Sequence, residues 1–128
     1  MIATAPIDHM AILVSSLERS MPYYEKLLPL LGFARADDGL WGNGAFSLKF
    51  SEASPEARPY DRYGAGMNHV GFAAPTAALL DEVRAGMAEA GFPVPDVLRL
   101  GEADVLFMAD PDGIRFEIAH DPRAEERQ

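Results

Sequence analysis

Two histidines and one glutamate stand out in this chain as groups able to hold a divalent metal. His9 and His69 lie 60 positions apart in matching runs, Asp8-His9-Met10 and Asn68-His69-Val70, and Glu117 sits between Phe116 and Ile118. Neutral imidazole nitrogens and an ionised carboxylate match the hardness of Fe(II), Mn(II), Ni(II) or Zn(II). Three such donors leave coordination positions open for substrate oxygens. An ion held this way polarises a chelated oxygen or, if it is iron, assembles substrate and oxygen. A lone strand histidine is more often an ordinary polar residue than a ligand. Its recurrence in two equivalent contexts is what favours a metal here.

The elements that must position these residues also recur. Each histidine opens a strand-like run, Ile7 to Val14 and Asn68 to Ala74, and each run leads into a helical pattern. In the first, Ser15-Ser16-Leu17-Glu18 has capping-box spacing, Ser20 offers a second start, and Pro22 is tolerated early. Met21, Tyr24, Leu27, Leu28 and Leu31 form its apolar stripe, and Pro29 is expected to end the regular helix before Gly32. In the second, Thr76 is the expected cap, and Leu79, Leu80, Val83, Met87 and Ala90 form the stripe. Both helices close on Gly-Phe, at Gly32-Phe33 and Gly91-Phe92, the glycine suiting a left-handed terminator.

Three short strands are expected after each helix. They are placed at Phe33 to Ala36, Leu40 to Gly42 and Ala45 to Phe50, then at Val97 to Leu100, Asp104 to Met108 and Ile114 to Ala119. Asp110-Pro111-Asp112-Gly113 reads as a strong turn before the last of these. The chain therefore reads as one domain of two modules, at about 6–51 and 67–120, joined by a linker at about 52–66 and followed by a polar tail. One helix covers only one face of each small sheet. The expected fold is α+β: two βαβββ modules pairing into a curved, eight-stranded open barrel with helices outside and a cleft within.

Strand alternation places His9, His69 and Glu117 on the cleft side. Lys49 and Arg115 join them there as candidates to hold an anionic substrate group, and Trp41 is a candidate to line the pocket. Tyr60 and Tyr63 lie in the linker, while His120 ends its strand without a repeat partner and is expected at the surface.

Composition narrows the function classes. Twenty acidic residues against eleven basic give a formal charge of −9, which repels a phosphate backbone and disfavours nucleic-acid binding. Apolar runs are too short to cross a bilayer. No basic-then-apolar leader opens the chain, so a cytoplasmic location is the default expectation. The absence of cysteine excludes disulfides, thiolate metal sites and cysteine nucleophiles.

Together, Ile7-Asp8-His9-Met10, Tyr23-Tyr24 and Leu30-Leu31-Gly32-Phe33 resemble the first module of the vicinal oxygen chelate superfamily. That superfamily comprises the glyoxalase, bleomycin resistance and extradiol dioxygenase proteins. Met67-Asn68-His69-Val70-Gly71-Phe72 and Asp110 to Ile118 resemble the second module, so the likeness spans nearly all of residues 6–120. The resemblance implies that His9, His69 and Glu117 are the metal ligands, and it implies a small substrate chelating the ion through vicinal oxygens.

Departures from the family pattern leave lyase, isomerase and dioxygenase chemistry all open. Phe46-Ser47-Leu48-Lys49-Phe50 lacks the fourth ligand of glyoxalase I-type members, and Phe107 stands where extradiol enzymes place a tyrosine. The rival reading is a metal-free small-molecule binder of the bleomycin resistance type, and a weaker one is a fosfomycin-type thiol transferase. Exposed strand edges and the family habit both point to a homodimer.

Overall fold

The structure, a computed structural model, describes residues 3–123. Its elements follow the repeat: β1 (His9–Val14), α1 (Leu17–Leu30), β2 (Ala34–Asp37), β3 (Leu40–Gly42) and β4 (Ser47–Glu52), then β5 (Val70–Ala73), α2 (Ala78–Glu89), β6 (Leu98–Leu100), β7 (Ala103–Ala109) and β8 (Arg115–His120). The strands form two four-stranded sheets, ordered β1-β4-β3-β2 and β5-β8-β7-β6. In both sheets the first strand pairs parallel with the last, and the remaining pairs are antiparallel. Two βαβββ units are therefore present. The chain divides into compact units between Ala57 and Arg58, inside the expected linker, although Glu52 belongs to β4.

In the first unit, α1 forms because Ser16 accepts from the Arg19 N–H at 3.2 Å and Glu52 reaches back from β4 to accept from the Leu17 N–H at 3.0 Å. These two contacts satisfy donors that every helix start leaves orphaned. Pro22 and Pro29 both lie inside α1, which runs on to Leu30 rather than stopping at Pro29. Burial explains this: Tyr23, Tyr24, Leu27 and Leu28 are almost wholly enclosed, and that packing outweighs the hydrogen bonds a proline removes. Ser20 is a buried residue within the helix, not a second start. Against this stripe lie Ile12, Val14, Leu48 and Phe50 of the sheet, with the Tyr24 and Phe50 rings 4.2 Å apart.

The second unit repeats the plan with a weaker start. Thr76 is not the cap; Ala77 holds that position and makes no side-chain cap bond, so α2 opens on the backbone bond from Leu79 N–H to the Thr76 carbonyl. Leu80, Val83 and Met87 pack with Leu106, Met108, Phe116 and Ile118 to form the core. Both helices end alike. Gly32 and Gly91 adopt φ of 88° and 90°, and the N–H groups of Phe33 and Phe92 return to the Leu28 and Met87 carbonyls. That backbone conformation is where glycine is favoured. Among the described residues no helix is long and apolar enough to cross a membrane.

Candidate metal and substrate site

In the first unit, register decides which side chains leave the helix-bearing face. Met10, Ile12 and Val14 point toward α1, so His9, Ala11 and Leu13 occupy the opposite face and are exposed. His9 lies beside Ser47 and Ala11 beside Lys49, which is likewise exposed. The His9 Nδ1 is 2.7 Å from Asp8 Oδ2. An ionised carboxylate only accepts, so Nδ1 carries the hydrogen, and in the neutral ring the lone pair is on Nε2. Among the described residues no hydrogen bond engages His9 Nε2.

Trp41 is placed differently from the expectation. It pairs with Leu48, is 5% exposed, and shares the helix-bearing face, away from His9 and Lys49. There it borders a separate cavity of about 300 Å³ with Leu17, Met21 and Arg35. A three-residue strand between two turns made its facing ambiguous in sequence; the antiparallel register resolves it.

In the second unit, His69 stands exposed just before β5, with its Nδ1 2.6 Å from Asn68 Oδ1. The Asn68 Nδ2 donates to the Arg62 carbonyl at 2.8 Å. A carbonyl only accepts, which fixes the amide so that its oxygen faces the ring. The His69 Nδ1 must then carry a hydrogen, and in the neutral ring the lone pair is again on Nε2. Tyr60 closes this loop by donating its hydroxyl to the carbonyls of Met67 at 2.6 Å and Asn68 at 3.2 Å. Desolvation pushes the Tyr60 phenol pKa up, against the opposing pull of Arg62, so the group remains a donor. Asp8 and Asn68 stand before the histidines in the matching sequence runs, but nothing in those runs shows their ring contacts or the Tyr60 staple. Tyr63 is 78% exposed.

Glu117 is half-buried in β8, flanked across the sheet by Gly71 of β5 and Phe107 of β7. A Cβ on Gly71 would lie 3.3 Å from Glu117 Oε2, so the carboxylate rests over the space that the glycine leaves. Gly71, Ala73 and Ala119 join Glu117 in lining a shallow cavity of about 270 Å³. Arg115 shares this face, two residues before Glu117, with its guanidinium 3.9 Å from the centre of the Phe107 ring. His120 is half-buried rather than a surface residue, and its Nδ1 lies 3.1 Å from the Ala74 carbonyl.

Residue by residue, the donor chemistry fits a divalent ion: two rings with Nδ1 held from behind, and one carboxylate without an ion pair among the described residues. His9 belongs to one unit, and His69 and Glu117 to the other. Among the described residues no three histidine, aspartate or glutamate side chains form a ready-made cluster for a metal.

The family model of the Glyoxalase/Bleomycin resistance protein/Dioxygenase superfamily matches residues 6–118. No curated protein sequence matches the chain. Among solved structures, the chain is similar to a glyoxylase/bleomycin resistance protein/dioxygenase domain from Frankia sp. EAN1pec, with 20% identity, TM-score 0.76, and coverage of 95% of this chain and 96% of that one. It is also similar to a glyoxalase/bleomycin resistance protein from Albidiferax ferrireducens T118, with 22% identity, TM-score 0.68, and coverage of 91% and 98%. A lactoylglutathione lyase from Agrobacterium tumefaciens shares 21% identity at TM-score 0.66, with coverage of 92% and 95%. At these identities the structures show a shared fold.

Proposed function

Because the chain belongs to the glyoxalase/bleomycin resistance protein/dioxygenase superfamily, we propose that it is a divalent-metal-dependent enzyme. Its substrate is a small molecule that chelates the ion through two vicinal oxygens. The observation that carries this reading is the duplicated ring arrangement: His9 and His69 each have Nδ1 held by the preceding side chain, with Nε2 left to coordinate. His9, His69 and Glu117 would hold the ion, which when bound supplies Lewis acidity to a chelated substrate oxygen.

The chain's own residues then define what else the site can do. Asp8 and Asn68 fix the orientation and tautomer of the two rings. Lys49 has no lone pair to give a metal, so it adds a cation on the first unit's exposed face rather than a fourth ligand. A three-donor set leaves more open positions for bidentate chelation than a four-donor set does. Lyase, isomerase and dioxygenase reactions share that requirement. The edge strands of the two sheets, β1, β2, β5 and β6, suit a homodimer, and sedimentation at working concentration is expected to give a dimer mass.

The deciding experiment measures the metal content of untagged protein by mass spectrometry, beside a His9→Ala/His69→Ala double variant. A stoichiometric transition metal, lost in the variant, supports the enzyme, and the identity of the metal selects the assay. Iron directs it to catechols; nickel, zinc or manganese directs it to thiol adducts and epimerisable acids. Protein that is empty and also refuses added metal overturns the reading in favour of metal-free small-molecule binding.

A further inference from the structure

We propose that the second unit carries a pocket for a small organic anion with an apolar body, gripped by Arg62 and Arg115. The inference names a substrate class for the enzyme proposed above and to that extent rests on it; the pocket itself does not. A cavity of about 510 Å³ opens on the face of this unit's sheet that bears Glu117. That volume falls in the range of small-molecule sites. Phe107, Leu98 and Pro95 supply apolar wall, and Arg62, Arg115 and Asp96 supply the charge.

The charges do not cancel. Asp96 is already engaged by Arg84 at 3.3 Å. Arg115 lies against the Phe107 ring and has no carboxylate partner among the described residues. Arg62 stacks 4.5 Å from the centre of the Tyr63 ring and hydrogen-bonds its hydroxyl, again with no carboxylate partner among the described residues. Two guanidinium groups thus converge on one cavity in a chain of formal charge −9, where free cations are scarce. A planar guanidinium matches a carboxylate through paired N–H donors. Its contact with an aromatic face holds that fork in place at little entropic cost.

Position links the pocket to the candidate ligand. Phe107 is the direct cross-strand neighbour of Glu117, and Arg115 precedes Glu117 on the same face by one strand repeat, about 7 Å. A molecule whose anionic end meets the two arginines lays its body on Phe107 and reaches toward Glu117. The substrate class is therefore an aryl or alkyl carboxylate, or a similar oxyanion, with its reacting oxygens set apart from its anionic group. The Asn68 bond to the Arg62 carbonyl anchors the same loop that holds His69, so the anion grip and that ring share one support.

The test uses 4-fluorobenzoate and its neutral counterpart 4-fluorobenzamide, titrated by fluorine NMR into metal-stripped, full-length protein. The benzoate is expected to bind and to weaken as salt rises, with the amide roughly tenfold weaker or more, as for loss of a charge-assisted bond. Arg115→Gln and Arg62→Gln are each expected to reduce benzoate affinity, and Arg115→Lys to restore part of it, with folding checked by circular dichroism. Equal binding of acid and amide, no binding of the acid, or full binding by the Arg62→Gln/Arg115→Gln double variant overturns the proposal. The His9→Ala/His69→Ala variant should still bind benzoate. Benzoate binding by unmutated protein that is empty and refuses added metal would end the enzyme reading and leave the pocket standing.

Discussion

The two units place opposite charges at the same structural position. In the first, β1 presents Ala11 beside Lys49 of β4; in the second, β5 presents Gly71 beside Glu117 of β8. The strand order and pairing sense are identical, and so is the histidine two residues earlier. One copy of the fold thus offers a histidine and an ammonium, the other a histidine and a carboxylate. The support differs too. His9 leans on a charged Asp8, whereas His69 leans on a neutral Asn68 that is itself tied to the Arg62 carbonyl. The scaffold repeats while the chemistry is divided, so neither copy alone carries the whole of the proposed donor set.

Exchanging the divided charges should have the largest effect. Glu117→Lys, which makes the second unit resemble the first, is expected to abolish metal retention, while Lys49→Glu should keep or tighten it. Metal content after dialysis against a weak chelator measures both. A Glu117→Lys protein that still holds its metal would show that the two faces are not chemically distinct.

The ring supports come next. Asn68→Asp cannot donate to the Arg62 carbonyl, and it is expected to lower metal affinity about ten- to a hundred-fold, the usual cost of losing a ligand's outer partner. Asp8→Asn keeps an acceptor for His9 and should cost less. Competition with a fluorescent chelator ranks the two, and imidazole nitrogen shifts report the tautomer independently of metal. The reverse ranking would mean that charge, not orientation, is what the residue before each histidine supplies.

The smallest difference is in the helix starts. Ser16→Ala should destabilise by about 1 kcal/mol, because it removes a bond to the Arg19 N–H. Thr76→Ala should change stability by less than about 0.5 kcal/mol, because α2 has no side-chain cap bond. Urea unfolding resolves the pair, and equal losses would show that Thr76 caps α2 in solution.

Much of this architecture was legible in the residues, because the repeat exposes it twice. The two histidine runs, the paired Gly-Phe terminators and the turn around Asp110 each mark a boundary that the backbone honours. What escaped was set by contacts distant in sequence. Pro29 stays inside α1 because Leu27 and Leu28 beside it are buried, and no local propensity records that. Trp41 faces the helix because of its register with Leu48, and a strand as short as β3 gives too little alternation to show it. The candidate donors were readable as residue types. Their supports were not, since Tyr60, Arg62 and Asn68 meet only through loop backbone.

The parallel pairing of first strand with last also governs the order in which the chain can fold. β1 finds its partner only after a helix and two further strands have been made, and β5 waits in the same way for β8. Each unit is thus closed by its final strand, with a loop-closure cost that local contacts cannot offset early. During synthesis the first unit can seal while the second is still being translated, so folding can proceed unit by unit. A nascent chain with β4 still inside the ribosome would hold His9 on a strand with no neighbour; one with β4 clear of the ribosome could complete the sheet.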